Sequence, residues 1–131
     1  MKFKWTIIYV PDVPQTVAFY EKAFGIKRSF VHESNQYAEM DTGATTLAFA
    51  SDQLAQSNFD LVYTRNNKAS APAGVEIAFV TDDVAVAFKR AVAAGAEPIV
   101  DPKLKPWGQT VSFVRDQNGV LVEIASPVPA Q

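Results

Sequence analysis

At 131 residues, 48% hydrophobic and 20% charged, the chain has the size and balance of one soluble globular domain. A formal charge of −2 and a pI near 5.3 supply no basic field for a phosphate backbone, which argues against nucleic acid as a partner. The absence of cysteine removes disulfides, thiolate nucleophiles and Cys-based zinc sites, and the single histidine, His32, excludes a His-rich metal site within one chain.

In chain order, "KWTIIYV" (4–10) is a short β-branched and aromatic run that predicts a strand. Its apolar part is too short for a signal-peptide core or a membrane span, so a cytoplasmic protein without a membrane partner is expected. In "PDVPQTVAFYEKAFG", Val13, Val17, Tyr20 and Phe24 recur at helical spacing along one face. Asp12 is placed to cap this helix, with Gln15 three residues on, Pro14 in the first turn and Gly25 at the end. "IKRSFVH", "QYAEMD" and "TTLAFAS" read as three strands separated by the turns "ESN" and "DTGA". The first half is therefore β, α, β, β, β.

The second half repeats that order. The strand "VEIAFVT" leads into the helix "DDVAVAFKRAVAAG", in which Val84, Phe88, Ala91 and Gly95 echo the first helix and Asp83 takes the capping place of Asp12. Then come "AEPIVDP", "TVSFVRD" and "GVLVEIAS", the last two joined by "DQNG", whose Asn-Gly pair tolerates the positive φ of a tight hairpin. Between the halves, residues 52–74 start weakly apolar and end polar and Ala/Pro/Gly-rich, which reads as a connector. Each half, at roughly fifty residues, is marginal for an independent core, so one domain is expected: module 1 at about 1–51, connector at about 52–74, module 2 at about 75–128.

"VEIA" occurs twice, so that Glu76 and Glu123 each interrupt an apolar strand. An ionised carboxylate buried there without a partner costs several kcal/mol, which demands a compensating group. Alternation places Glu76, Ala78 and Val80 on one face of their strand, with Ile77 and Phe79 beneath the helix. Three readings of the pair follow from the residues alone. Mutual repulsion raises one pKa and makes an acid/base group; the pair attracts a cationic ligand, with Trp5, Tyr9 and Trp107 as aromatic walls; or each acid pairs with a base such as Arg115 or Lys105. "KPWGQ" sets Trp107 and Gln109 in a turn before the seventh strand. His32, beside the "ESN" turn, reads as an exposed or hydrogen-bonded residue, and Glu39 in the third strand as a solvent-facing acid whose parity leaves the other face open.

Paired βαβββ modules with "YVPDVPQTVAFYEKAFG", "FVTDDVAVAFKRAVAAGAEPI" and "WGQTVSFVRDQNGVLVEI" resemble the vicinal oxygen chelate superfamily, which includes glyoxalase I, bleomycin-resistance proteins and extradiol dioxygenases. The resemblance covers nearly the whole chain. It implies an α+β fold of two tandem βαβββ modules forming a curved mixed sheet around a ligand cavity, commonly in a homodimer. It also implies metal ligands at the first and last strands of each module, positions that fall here on Trp5, Ala48, Glu76 and Glu123. Trp5 and Ala48 cannot ligate, so no four-ligand metal site and no cofactor are expected, beyond a weak divalent cation on Glu76 and Glu123 with waters. The function implied is a glyoxalase-like small-molecule enzyme of lyase or related type, with Glu76 and Glu123 as catalytic residues and Trp5, Tyr9, Ala48, Trp107 and Gln109 around the ligand. The alternative is a non-catalytic binding protein of the bleomycin-resistance kind.

Overall fold

A computed structural model describes residues 1–130. The described chain divides into two compact units, Met1–Arg65 and a second beginning at Asn66. Each is built as β, α, β, β, β around its own mixed sheet of four strands.

In the first unit, β1 (Trp5–Val10) leads into α1 (Val13–Phe24), then β2 (Arg28–Val31), β3 (Tyr37–Met40) and β4 (Thr46–Ser51). The strand order is β1-β4-β3-β2, with β1 parallel to β4 and the other pairs antiparallel. The helix begins where its chemistry predicts: Asp12 accepts the Gln15 amide at 3.0 Å, Pro14 occupies the first turn and Gly25 closes the helix at φ 67°. The buried face of α1 is Val13, Thr16, Val17, Tyr20 and Ala23. Phe24, expected on that face, is only half-buried and packs edge-on against Phe19 and tilted against Tyr20 at the helix end. Beneath α1 lie Ile8 and Val10 of β1, Ala38 and Met40 of β3, and Leu47 and Phe49 of β4. Because side chains alternate along a strand, Trp5, Ile7 and Tyr9 share the opposite face with Tyr37, Glu39 and Ala48.

The segment read as a connector is not all loop. Ser51 accepts the Leu54 amide at 3.0 Å and caps α2 (Asp52–Asn58), which buries Ala55 against the first unit. Seven residues with one buried apolar side chain give too little periodicity to be read as a helix from sequence, so the tertiary contact supplies what local pattern lacks.

In the second unit, β5 (Glu76–Val80), α3 (Val84–Ala93), β6 (Glu97–Leu104), β7 (Thr110–Arg115) and β8 (Leu121–Ala125) form a sheet ordered β5-β8-β7-β6, again with the first and last strands parallel. Asp83 accepts the Val86 amide at 3.1 Å, and Val84, Phe88 and Ala91 are buried. The amide of Ala96 returns to the Ala91 carbonyl at 3.0 Å around Gly95, whose φ of 111° ends the helix as its position suggested.

The β7–β8 hairpin is held by Asp116, which is 1% exposed and accepts the amides of Asn118 and Val120 at 2.8 and 2.9 Å. Arg115 then ties the loop that precedes β5 to this hairpin. Its guanidinium donates to the carbonyls of Gly119 at 2.9 Å and Ser70 at 2.7 Å, with longer bonds to Lys68 and Asn67. Both units are thus α+β modules of one topology, as the repeat in the sequence predicted. Among the described residues, no helix is long and apolar enough to cross a membrane.

Candidate functional site

Glu76 opens β5 and Glu123 stands in the middle of β8. In the parallel register Glu76 lies opposite Leu121 and Ala78 opposite Glu123, so the two acids are diagonal neighbours on the face turned away from α3. The expected alternation holds in β5, where Glu76, Ala78 and Val80 are exposed while Ile77 and Phe79 are partly covered. The premise that both acids are buried is corrected: Glu76 is exposed and Glu123 half-buried. An open sheet face lets water reach the carboxylates, which removes the severe penalty expected from sequence.

The two carboxyl groups reach one another. Burial raises the Glu123 carboxyl above the ordinary carboxylate range, a hydrogen bond to Glu76 and the repulsion of its charge raise it further, and Lys105 pulls weakly the other way. Burial and the neighbouring Glu76 together therefore favour the protonated form of Glu123. Arg115, one of the bases weighed as a structural partner, is committed to backbone carbonyls of the hairpin and the loop before β5. That leaves Lys105 as the nearby positive charge.

On the opposite side of Glu123 from β5, Phe113 of β7 is its cross-strand neighbour. Trp107, in the turn between β6 and β7, is 55% exposed and donates from Nε1 to Gln109 Oε1 at 2.9 Å. Gln109 Nε2 in turn donates to the Ser126 carbonyl at 2.9 Å, just past β8. This chain fixes the Gln109 amide orientation and tethers an indole that does not cap the core.

In the first unit, Trp5 and Ala48 hold the strand positions equivalent to Glu76 and Glu123. Trp5 is 48% exposed and its Nε1–H is donated to Glu39 at 3.0 Å. Ala48 is fully buried between Ile7 and Glu39, its register partners, and shapes the floor of the sheet without offering a donor. An indole N–H has no lone pair for a metal and a methyl group has none either. The positions at which the resemblance sets metal ligands therefore supply two carboxylates, both from the second unit, and do not fit a four-ligand set. Among the described residues, no group of three or more His, Cys, Asp or Glu side chains is arranged to hold a metal ion.

Tyr9, next to last in β1, sits in an aromatic cluster, its ring 5.2 Å from Tyr63 and 6.4 Å from Phe59. Tyr63 donates to the buried Asp52 at 2.5 Å, and burial, then this carboxylate, pushes its pKa up to about 12. His32 is exposed and bonded within its turn to Ser34.

Glu39 is the residue whose importance the sequence understated. Register pairs it with Ala48, so it faces the Trp5 side of the sheet, and its Oε2 accepts from Trp5 Nε1 and from Tyr37 Oη at 2.8 Å. The available signal was the alternation of "YAEM", in which Ala38 and Met40 fill the core face and leave Tyr37 and Glu39 on the other. In the second unit the corresponding position beside Glu123 is Phe113, so the two modules place their acid on different strands.

The family model for the Glyoxalase/Bleomycin resistance protein/Dioxygenase superfamily matches residues 2–124. The chain belongs to this superfamily. Among solved structures it is similar to a glyoxalase-related enzyme from Fulvimarina pelagi, with 22% identity over 97% of this chain and 88% of that one and a TM-score of 0.82. It is also similar to a glyoxalase/bleomycin resistance protein/dioxygenase family enzyme from Burkholderia phytofirmans PsJN, at 21% identity, 98% and 100% coverage and a TM-score of 0.75. A third similar structure is TioX from Micromonospora sp. ML1, at 20% identity, 96% and 98% coverage and a TM-score of 0.72. At these identities the likeness establishes the fold. No curated protein matches the chain.

Proposed function

We propose that the chain is a glyoxalase-like small-molecule enzyme that moves a proton with the Glu76–Glu123 pair and does not use the four-ligand metal site of its superfamily. The observation that carries this reading is the raised Glu123 carboxyl, held by partial burial and by Glu76 on an open sheet face. A carboxyl poised above its ordinary range both accepts and returns protons closer to neutral pH than a free glutamate does. Glu123 is the group that exchanges the proton with the ligand. Glu76 favours the protonated form of Glu123, while Lys105 steadies the charge left when the proton departs.

Trp5, Tyr9, Ala48, Trp107 and Gln109 are assigned to ligand contact as the superfamily resemblance implies; the exposed indoles and the fixed Gln109 amide support this. No resident cofactor is assigned. A divalent cation on Glu76 and Glu123 would have only two protein carboxylates and would be bound weakly, largely through water. We assign a cytoplasmic homodimer. Support for pairing comes from apolar side chains such as Val80, Ile99 and Leu104, which are 68%, 46% and 69% exposed in the single chain.

The test is titration of the Glu123 side-chain carboxyl by carbon NMR, alone and in Glu76→Gln. Glu123 should titrate above an ordinary glutamate, and the variant should bring it part of the way back, because burial remains after the charge is gone. A normal Glu123 titration would sink the reading. Screening small carbonyl compounds for conversion then separates the enzyme from a protein that returns its ligand unchanged. Conversion should be lost in Glu123→Gln, whose amide cannot accept the proton.

The same pair makes a stability prediction. A carboxyl whose folded pKa is raised above its unfolded value binds its proton more tightly when folded. Its relative stabilisation is therefore full below the unfolded pKa and lost as pH rises through the folded one. Glu123→Gln should accordingly be more stable than the parent above the folded Glu123 pKa, by about 0.5–1 kcal/mol as expected for relieving a like-charged cross-strand pair. That gain should vanish below pH values at which unfolded glutamates protonate. Urea unfolding at several pH values reads both limits.

A further inference from the structure

Glu39 presents a different chemistry from the Glu76–Glu123 pair. Its two hydrogen bonds, from Trp5 Nε1 and Tyr37 Oη, both end on Oε2. Burial, followed by Glu39 itself, raises Tyr37 to about 12, so the phenol stays a donor at neutral pH. Indole N–H is always a donor. Glu39 is therefore held as an acceptor, with Oε1 making no protein hydrogen bond among the described residues.

Among the described residues, no Lys or Arg forms an ion pair with it. Arg28, on the adjacent strand β2, is turned to Glu21 of α1 at 2.7 Å. Lys4 extends over the Trp5 ring instead, its Nζ 5.8 Å from the centroid. Around the carboxylate stand the half-exposed Trp5, the ring of Tyr37, and Phe30, which is 43% exposed with its centroid 6.0 Å from that of Tyr37. A half-buried, pre-oriented carboxylate with a free oxygen, rimmed by three aromatic rings, has the chemistry that receives an organic cation: the charge is met at Oε1 and the apolar body by the rings.

We propose that Trp5, Phe30, Tyr37 and Glu39 form a binding subsite for a protonated amine carried on an apolar or aromatic group. The subsite lies wholly within the first unit and does not depend on Glu76 or Glu123. The two donors fix the carboxylate before the ligand arrives, so little side-chain freedom is lost on binding. An ammonium N–H completes the acceptor that the protein leaves open, whereas a neutral isostere gains only the ring contacts.

The probe is benzylamine, protonated at neutral pH, against benzyl alcohol as the neutral isostere, titrated into the full chain at low salt. The readout is the Trp5 indole N–H signal in a nitrogen–proton correlation spectrum, assigned by its loss in Trp5→Phe. Benzylammonium should shift this signal saturably and bind at least about tenfold more tightly than the alcohol, as a charge-assisted hydrogen bond provides. Glu39→Gln should lose about tenfold for the amine and little for the alcohol, and Glu123→Gln should bind as the parent does. The comparison of the two probes on the unmodified chain holds even if Glu39→Gln folds poorly. Equal affinity for amine and alcohol, no saturable shift of the Trp5 signal, or unchanged amine affinity in a folded Glu39→Gln would each overturn the proposal. A normal titration of Glu123 would leave it standing.

Discussion

Phe49→Ala is expected to destabilise the protein by about 3–5 kcal/mol, the cost of removing a fully enclosed aromatic side chain. Phe49 has no exposed surface and lies in register between Ile8 of β1 and Ala38 of β3. Tyr20 of α1 covers it, with ring centroids 4.9 Å apart. All three neighbours belong to regular elements, so the cavity left by the truncation cannot collapse without moving a strand or the helix. Domains of this size are stable by only about 5–15 kcal/mol, so the loss takes a large share of the total. Urea unfolding should show a lower midpoint with little change in slope. Phe30→Ala supplies the contrast. On the other face of the same sheet, with 43% of its surface exposed, it should change stability by no more than about 0.5 kcal/mol.

The next largest effect is expected at the β7–β8 hairpin. Gly119 has a φ of 85°, a conformation that costs an L-residue about 1–2 kcal/mol, and a Cβ there would sit 2.8 Å from the Asn67 carbonyl oxygen and 2.5 Å from Arg115 Nη2. The arginine tip can swing aside, but doing so releases its bonds to Ser70 and Gly119; the Asn67 carbonyl can move only with its loop. Gly119→Ala should therefore cost about 2–3 kcal/mol, combining backbone strain with the displaced contacts. Hydrogen exchange distinguishes this from simple turn strain: protection should fall around residues 67–70 as well as in the hairpin. Loss confined to residues 116–120 would mean that Arg115 does not join the two segments.

Much of the fold is written in local pattern. Asp12 and Asp83 cap their helices as their side-chain chemistry requires, and Gly25 and Gly95 end them by entering positive φ. The "DQNG" hairpin forms because Asp116 and Gly119 satisfy a tight turn from within five consecutive residues. Such features need only neighbours in sequence, so they are legible there. Helix α2 was not, because its one capping serine and one buried alanine acquire meaning only once β4 places them.

At the candidate site, composition and local pattern set which groups exist: two acids in β5 and β8, an indole and a methyl group at the matching strand positions of the first module, and no cysteine or second histidine. Alternation also determined the face that Glu76 shares with Ala78 and Val80, since strand periodicity is a local property. That Glu76 and Glu123 become diagonal neighbours was not legible, because it depends on the parallel register of strands separated by most of the second unit, which folding alone establishes. Folding likewise commits Arg115 to the hairpin instead of the acids, and brings the Trp5 indole to Glu39 across 34 positions of chain. The physical reason is common to all three. A side chain's charge, donors and local direction are set by its own residue and its immediate neighbours, whereas the partner it finds is set by strand order and register, which no short stretch of sequence contains.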